Sequence, residues 1–108
     1  MTLNELVQAA HGNAVAKGWW EEERNVGELL CLMHSEISEA LEEYRAHRPL
    51  NEVRIENGKP EGVPIELADV MIRIFDFCGR HQIDLESAVM EKMTYNKGRP
   101  YRHGGKKA

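Results

Sequence analysis

Several features that mark other classes of protein are scarce or missing in this sequence. Only two of its 108 residues are cysteine, and Cys31 and Cys78 both lie within apolar helical patterns. We therefore expect two reduced thiols in the core, not a disulfide framework or a zinc site. No apolar run is long enough to cross a membrane, and the N-terminus lacks the basic-then-apolar pattern of a signal peptide. A cytoplasmic protein that does not bind membranes is predicted.

Strand patterns and two kinds of metal motif are also missing. No segment alternates between apolar and polar residues over the length of a strand, and there is no internal repeat. No histidine stands three residues after a glutamate, as a di-iron carboxylate bundle requires, and His-x-x-x-His is absent. An all-β fold and these two metal chemistries are therefore not expected.

Charge is present but unevenly distributed. The net charge is −4, yet residues 92–108 hold six of the 14 Lys and Arg residues and none of the 18 acids. An acidic body with a basic tail allows three interpretations: a solvated tail, a tail that binds nucleic acid, or a tail that closes over an anion held through a cation. The charge pattern alone leaves all three open.

Helical periodicity with clear end signals covers most of the chain. Thr2 and Glu5 match a capping box, Asn25 and Glu28 repeat it, Pro64 suits a first helical turn, and Asp84 suits an N-cap. These signals predict helices over residues 2–17, 25–48, 64–81 and 84–96, with a loop over 49–63. The fold class is therefore predicted to be all-α, a four-helix bundle in one domain of residues 1–96 with a basic tail of 97–108.

The third predicted helix is apolar around more than half of its circumference. Its polar residues form one narrow stripe, which runs through Glu66, Asp69, Arg73, Asp76 and Arg80. A helix of this kind is covered from more than one side, and a single small bundle supplies little cover. We therefore expect a homo-oligomer. Arg73 and Arg80 each follow an acid by four residues, a spacing that also predicts ion pairs along the helix.

Two pairs of carboxylates are spaced one helical turn apart. Glu66 and Asp69 share one face of the third helix, and Glu36 and Glu39 repeat the arrangement on the second. Two such pairs can surround a hard divalent cation with oxygen ligands. The alternative is a solvated helix face, which is the stronger interpretation for Glu36 and Glu39 alone. It is weaker for Glu66 and Asp69, whose helix has almost no other polar surface.

The order Glu36-x-x-Glu39, then Glu66-x-x-Asp69, resembles the signature of the MazG-type all-α nucleoside triphosphate pyrophosphohydrolases. The similarity extends through "RNVGELLCLMHSEISEALEEYR" and "IELADVMIRIFDFCGRHQIDLESAVMEKMTYNKGRPY". It is strongest to the dCTP pyrophosphatase-like branch, whose fourth helix ends in a Lys, an Asn four residues later, and then an Arg. Lys92, Asn96 and Arg99 stand at those positions.

This resemblance implies a MazG-type bundle that hydrolyses a nucleoside triphosphate to the monophosphate and pyrophosphate in nucleotide-pool house-cleaning. By the same resemblance, Glu36, Glu39, Glu66 and Asp69 are the catalytic residues and the ligands of Mg²⁺, with Mn²⁺ as an alternative ion. Lys92, Asn96 and Arg99 would bind phosphate. The residues implied for base binding are His11, Trp19 and Trp20.

Three positions depart from the family pattern. Ser35 stands where many members have a further Glu, Ala46 and His47 occupy the place of a second Trp, and Arg73 replaces an aromatic residue. Trp19 and Trp20 are equally compatible with a packing role between the first two helices. A different class of function, a non-catalytic helical dimer that binds nucleic acid or a protein partner through the tail, stays open. So does a related pyrophosphohydrolase acting on a metabolite such as phosphoribosyl-ATP.

Overall fold

The protein is mostly helical, with one small β-hairpin between its second and third helices. The computed structural model describes residues 1–107, and for His103 the backbone alone. The helices are α1 (Leu3–Ala16), α2 (Val26–Arg45), α3 (Val63–Arg80), α4 (Leu85–Lys97) and the short α5 (Arg102–Gly105). Three of the predicted N-caps are confirmed: the side chains of Thr2, Asn25 and Asp84 each accept a hydrogen bond from the backbone N–H three residues later.

The helix ends differ from their predicted positions where the chain turns. The second helix was expected to reach residue 48 but ends at Arg45, because His47 takes a left-handed conformation with φ of 61°. Four residues of the predicted basic tail form the short α5, which adds one helical turn beyond α4.

The mostly helical fold is confirmed, but the prediction of a loop over residues 49–63 was wrong in part, because two short strands form within it. Strands β1 (Arg54–Glu56) and β2 (Lys59–Glu61) pair antiparallel, with Arg54 opposite Glu61. Asn57 and Gly58 join them with φ of 53° and 78°, the pair of positive values that a tight two-residue hairpin loop requires. The Asn-Gly pair was the available signal, but strands of three residues are too short for a visible alternation.

Helix α3 is the centre of the fold, with α1 and α2 packed against it. Val7 of α1 and Phe75 and Cys78 of α3 form the buried core cluster, each exposed by 6% or less. At Gly79 the two helices come so close that an added Cβ would lie 2.5 Å from Cβ of His11. Any larger residue at position 79 would push α1 away from α3. The predicted buried role of Cys78 is confirmed, whereas Cys31 is exposed.

The fourth helix is attached much more loosely. It packs mainly on α1, where the Glu86 carboxylate accepts a hydrogen bond from the Leu3 backbone and Asn4 Nδ2 donates to Asp84. None of its residues is buried. The four-helix bundle is therefore only partly formed within one chain.

A large apolar surface is left uncovered on the single chain. On α2 the exposed side chains are Val26, Leu30, Ile37, Leu41 and Tyr44. Helices α3 and α4 add Leu67, Met71, Met90 and Met93, each exposed by 46% or more. The radius of gyration is 16.5 Å, whereas a compact chain of this length has a value of about 13 Å. Among the described residues, no helix combines the length and the apolar character needed to cross a bilayer.

Candidate functional site

Three carboxylates from two helices meet at one point of the surface between α2 and α3. Glu36 of α2 and Glu66 and Asp69 of α3 each place an oxygen within 4.8 Å of the others. The spacing of three residues puts Glu66 and Asp69 on one face of α3, and the packing of α2 on α3 brings Glu36 to the same face. The structure thus brings together three of the four predicted acidic residues.

Glu39, the fourth predicted acid, lies outside this group. Its side chain is exposed on α2, and it is not among the acids whose oxygens approach within 4.8 Å. It is close enough for its negative charge to help raise the pKa of Glu66. Within residues 1–107, Glu39 is therefore a neighbour of the cluster and not one of its three members.

The pKa values of Glu66 and Asp69 are both raised, because these carboxyls are partly removed from water and lie near other acids. The pKa of Glu66 is raised above its ordinary value, first by burial and then by the charges of Asp69 and Glu61. The pKa of Asp69 is raised first by burial and then by the charge of Glu36. A bound divalent cation would relieve this repulsion, and three carboxylates supply the oxygen ligands that Mg²⁺ prefers.

The hairpin adds further acids that the sequence analysis missed. Glu61 of β2 and Glu43 of α2 lie within 4.8 Å of Glu66, so Glu66 belongs to two acidic groups. Arg54 of β1 donates hydrogen bonds to Glu43 from both terminal nitrogens, each 3.0 Å from a different carboxylate oxygen. This two-point contact lowers the pKa of Glu43. The ion pair fastens the hairpin to α2 beside the three-acid cluster.

Arg73 binds across the helix interface and not along its own helix. Its Nε donates to Oε1 of Glu36 at 2.7 Å, and the Glu36 side chain is only 16% exposed. Neither of the two ion pairs predicted along α3 is present among the described residues. Arg73 binds Glu36 in place of Asp69, and Arg80 lies over the Trp20 ring at 5.1 Å. The positive charge of Arg73 also lowers the pKa of Asp69, against the effect of burial. Arg73 thus neutralises part of the acidic cluster.

A pocket of about 320 Å³ opens beside the acids, between α1, α2 and α3. Its wall includes the charged side chains of Glu36, Asp69 and Arg73, together with Trp19 and Arg24. The remaining lining residues are Ala10, Asn13, Ala14, Ile72 and Asp76. Its volume falls at the lower end of the range that is usual for small-molecule sites.

The residues implied for base binding divide into two kinds. Trp19 lines the pocket and is 62% exposed, so its indole face is accessible. His11 and Trp20 instead bind Asp76, each with a ring nitrogen 2.9 Å from Oδ1. The Arg24 guanidinium lies over both indoles, 5.9 Å from the Trp19 centroid and 5.5 Å from the Trp20 centroid. Trp20 therefore packs between polar groups, whereas Trp19 lies under Arg24 but keeps most of its side chain exposed.

The basic residues predicted to bind phosphate lie elsewhere. Lys92 Nζ and the Arg99 guanidinium both lie over the Tyr95 ring, at 4.8 and 5.5 Å. Asn96 is exposed on the same end of α4. Within residues 1–107, none of the three lines the acidic pocket. Lys92 and Arg99 form one basic group around Tyr95, which a single chain does not bring to the acids.

Comparisons of the chain with protein-family models, with curated proteins and with solved structures give no match. The interpretation of the pocket therefore depends on its own geometry and chemistry.

Proposed function

We propose that this protein is a Mg²⁺-dependent nucleoside triphosphate pyrophosphohydrolase of the MazG type. The observation that carries the proposal is the convergence of Glu36, Glu66 and Asp69, with oxygens within 4.8 Å, beside a pocket that also contains Trp19 and Arg24. Acids, an aromatic face and a guanidinium are the groups that a metal-bound nucleotide requires.

The three carboxylates would hold the ion, and Mn²⁺ is an alternative occupant. When bound, the ion supplies charge neutralisation for phosphate oxygens and a lower pKa for a coordinated water. Water adds across the anhydride bond between the α- and β-phosphates, which gives the nucleoside monophosphate and pyrophosphate. In this proposal one of the four acids, Glu36, Glu39, Glu66 or Asp69, would orient or deprotonate the attacking water.

The chain's own cations would position the substrate. Arg24 presents a guanidinium at the pocket wall, held against two indole rings, and can donate to phosphate oxygens. Trp19 offers an exposed ring on which a base can stack.

A second copy of the chain completes the proposal. The exposed apolar stripe of α2 and the unburied α4 both lack cover in the single chain, and the radius of gyration exceeds that of a compact monomer. We place these surfaces in the interface of a homodimer or a dimer of dimers. Assembly would allow Lys92, Asn96 and Arg99 of one copy to approach the acidic pocket of another.

The test is pyrophosphate release from a panel of ribo- and deoxyribonucleoside triphosphates, with Mg²⁺ and with EDTA. We expect metal-dependent formation of monophosphate and pyrophosphate in equal amounts. Asp69→Asn should abolish it, whereas Asp84→Asn, the same chemical change at the N-cap of α4, should retain it because Asn is an equally good cap. Absence of hydrolysis on the whole panel, or normal turnover by Asp69→Asn, would contradict the proposal.

A further inference from the structure

Within residues 1–107, a single hydrogen bond attaches the segment between α1 and α2 to α3. The segment comprises residues 17–25 and contains two pocket residues, Trp19 and Arg24. Trp20 Nε1 donates to Oδ1 of Asp76 at 2.9 Å. All other hydrogen bonds of the segment stay within it or reach the adjoining turns of α1 and α2. The place of the segment on α3 therefore depends on Trp20.

Further contacts hold the Trp20 ring in place. His11 Nδ1 of α1 lies 2.9 Å from the same oxygen of Asp76. The His11 and His81 rings meet the indole edge-on, with centroids 6.0 and 6.5 Å away. The Arg80 guanidinium of α3 lies over the indole at 5.1 Å. Trp20 is thus held by groups from both α1 and α3.

Arg24 depends on the two indoles for its own position. Its guanidinium lies 5.5 Å from the Trp20 centroid and 5.9 Å from that of Trp19. Among the described residues it makes no hydrogen bond and no ion pair, whereas Arg54 and Arg73 are both bound to carboxylates. Its N–H donors are therefore available to a ligand, while the rings restrict where the group can lie.

Arg24 also stands between Trp20 and the pocket. A second cavity, of about 20 Å³, lies beside the indole and is lined in part by Trp20, Leu29, Met33 and Phe77. Three residues line both this cavity and the main pocket: Arg24, Arg73 and Asp76. A movement of the Trp20 ring would therefore shift Arg24 at the pocket wall.

We propose that Trp20 and Asp76 are positioning residues, whose hydrogen bond holds Arg24 in place to bind phosphate oxygens; this inference rests on the phosphate contact in the proposed function. An arginine side chain that is already held loses less conformational freedom when it binds an anion than a mobile one does. Phosphate binding by Arg24 is therefore tighter while the contact between Trp20 and Asp76 is intact.

Calorimetric titration with imidodiphosphate, a non-hydrolysable analogue of pyrophosphate, measures this contact in the presence of Mg²⁺ and without a base. Trp20→Phe keeps an aromatic ring but removes the N–H donor, and should weaken binding on the order of tenfold. Asp76→Ala removes the acceptor and should weaken binding similarly. Asp76→Asn is the matched control: its amide oxygen can still accept from Trp20, and it removes a negative charge, so it should bind at least as tightly as wild type.

A double variant separates positioning from general damage to the fold. If Trp20 acts through Arg24, Trp20→Phe should weaken binding in the wild-type chain but have little further effect in an Arg24→Gln chain. Mn²⁺ binding without phosphate should be unchanged in Trp20→Phe, because the clustered acids lie on α2 and α3. In nucleotide hydrolysis the same variant should raise KM on the order of tenfold and leave kcat nearly unchanged.

The outcomes separate this inference from the proposed function. Wild-type affinity in Trp20→Phe and Asp76→Ala, or an equal loss with and without Arg24, would overturn the positioning role and leave the pyrophosphohydrolase intact. Failure of the wild-type protein to bind imidodiphosphate would also overturn the positioning role. If Trp20→Phe does not fold, the difference between Asp76→Ala and Asp76→Asn decides the matter. Inactivity on the nucleotide panel, together with the expected losses of imidodiphosphate binding, would instead overturn the activity and keep the positioning role.

Discussion

Helices α3 and α4 carry the two halves of the predicted site, and they differ in how the chain holds them. Helix α3 brings Glu66 and Asp69 to the cluster and is packed on both sides, with Val63, Val70, Phe75 and Cys78 buried. Helix α4 carries Lys92, with Arg99 two residues beyond its end, and buries none of its residues. The acidic half is thus assembled by intrachain packing, whereas the basic half is exposed on a helix that one chain leaves uncovered.

This difference predicts where a second copy would contribute to the proposed site. A charged group can act on substrate only if its helix is held in place, and α4 is held chiefly at its first turn, where it contacts α1. Within residues 1–107, the other end, with the basic group around Tyr95, makes no hydrogen bond to another helix. We therefore expect the function of the two halves to depend on different interactions.

Mixing two inactive variants gives the largest expected effect. If acids and basic residues of one site come from different copies, Asp69→Asn and Arg99→Ala are each inactive alone. After unfolding and refolding together, the mixed dimers contain one site with both halves intact, and activity should return to about a quarter of wild type. Initial rates of pyrophosphate release measure it.

Two controls define this complementation. A mixture of Asp69→Asn with Glu66→Gln, which both damage the acidic half, should stay inactive. If Asp69→Asn mixed with Arg99→Ala also stays inactive although mixed dimers form, the basic residues act within their own chain and α4 must move.

Replacement by alanine should lower the free energy of unfolding much more at a core residue of α3 than at an exposed residue of α4. Phe75 is 6% exposed, so Phe75→Ala should lower the free energy of unfolding by about 3–5 kcal/mol. Met93 is 61% exposed, so Met93→Ala should change the stability of the monomer by less than about 0.5 kcal/mol. In sedimentation measurements the same Met93 variant should dissociate at higher protein concentration than wild type. Unchanged assembly in Met93→Ala would remove α4 from the interface.

The acids of α3 were predicted from the sequence more accurately than the residues around them. Glu66 and Asp69 are three residues apart on one helix, so their proximity follows from local geometry alone. Their meeting with Glu36 needed only the packing of α2 on α3. By contrast, the Glu43–Arg54 ion pair depends on a hairpin of two three-residue strands, which have no measurable periodicity.

Other contacts were not predicted because they join residues that lie far apart in the sequence. Arg73 had an acid four residues before it, yet it binds Glu36, which is 37 residues away. Asp76 likewise joins His11 and Trp20, at separations of 65 and 56 residues. Helical spacing identifies which side chains share a face, but the partner across the interface is set by tertiary packing. The pocket role of Arg24 had no sequence signal beyond its neighbouring tryptophans.

Arg73 should compete with the metal for Glu36. Its Nε donates to Glu36 at 2.7 Å, so a cation that binds Glu36 must share or displace this contact. Arg73→Met should therefore tighten binding of Mn²⁺ by about tenfold, as measured by electron paramagnetic resonance of the free ion. Arg80→Met removes the same charge from α3 at a residue that lies over Trp20, and should change the affinity much less. Weaker binding in Arg73→Met would instead show that the arginine holds Glu36 in position as a ligand.

The smallest expected effect is the pH dependence of stability that Glu66 introduces. Its pKa is raised in the folded chain above the ordinary 4.5, so the native state binds this proton more tightly than the unfolded state. The sign follows from linkage: as pH rises through the raised pKa, the metal-free protein loses stability at this site. Glu66→Gln lacks that loss. Its free energy of unfolding should therefore equal that of wild type near pH 4 and exceed it increasingly towards about pH 7.

Urea unfolding of both proteins across this range, with Glu91→Gln as an exposed control on α4, measures the difference. Saturating Mg²⁺ at neutral pH should make the wild-type protein the more stable of the two, because the ion stabilises only the chain that keeps the Glu66 ligand. A pH-independent difference would show that Glu66 carries no unfavourable charge, and failure of Mg²⁺ to reverse it would remove Glu66 from the metal site. In that case a single chain would assemble neither the acidic site nor the basic group near the end of α4.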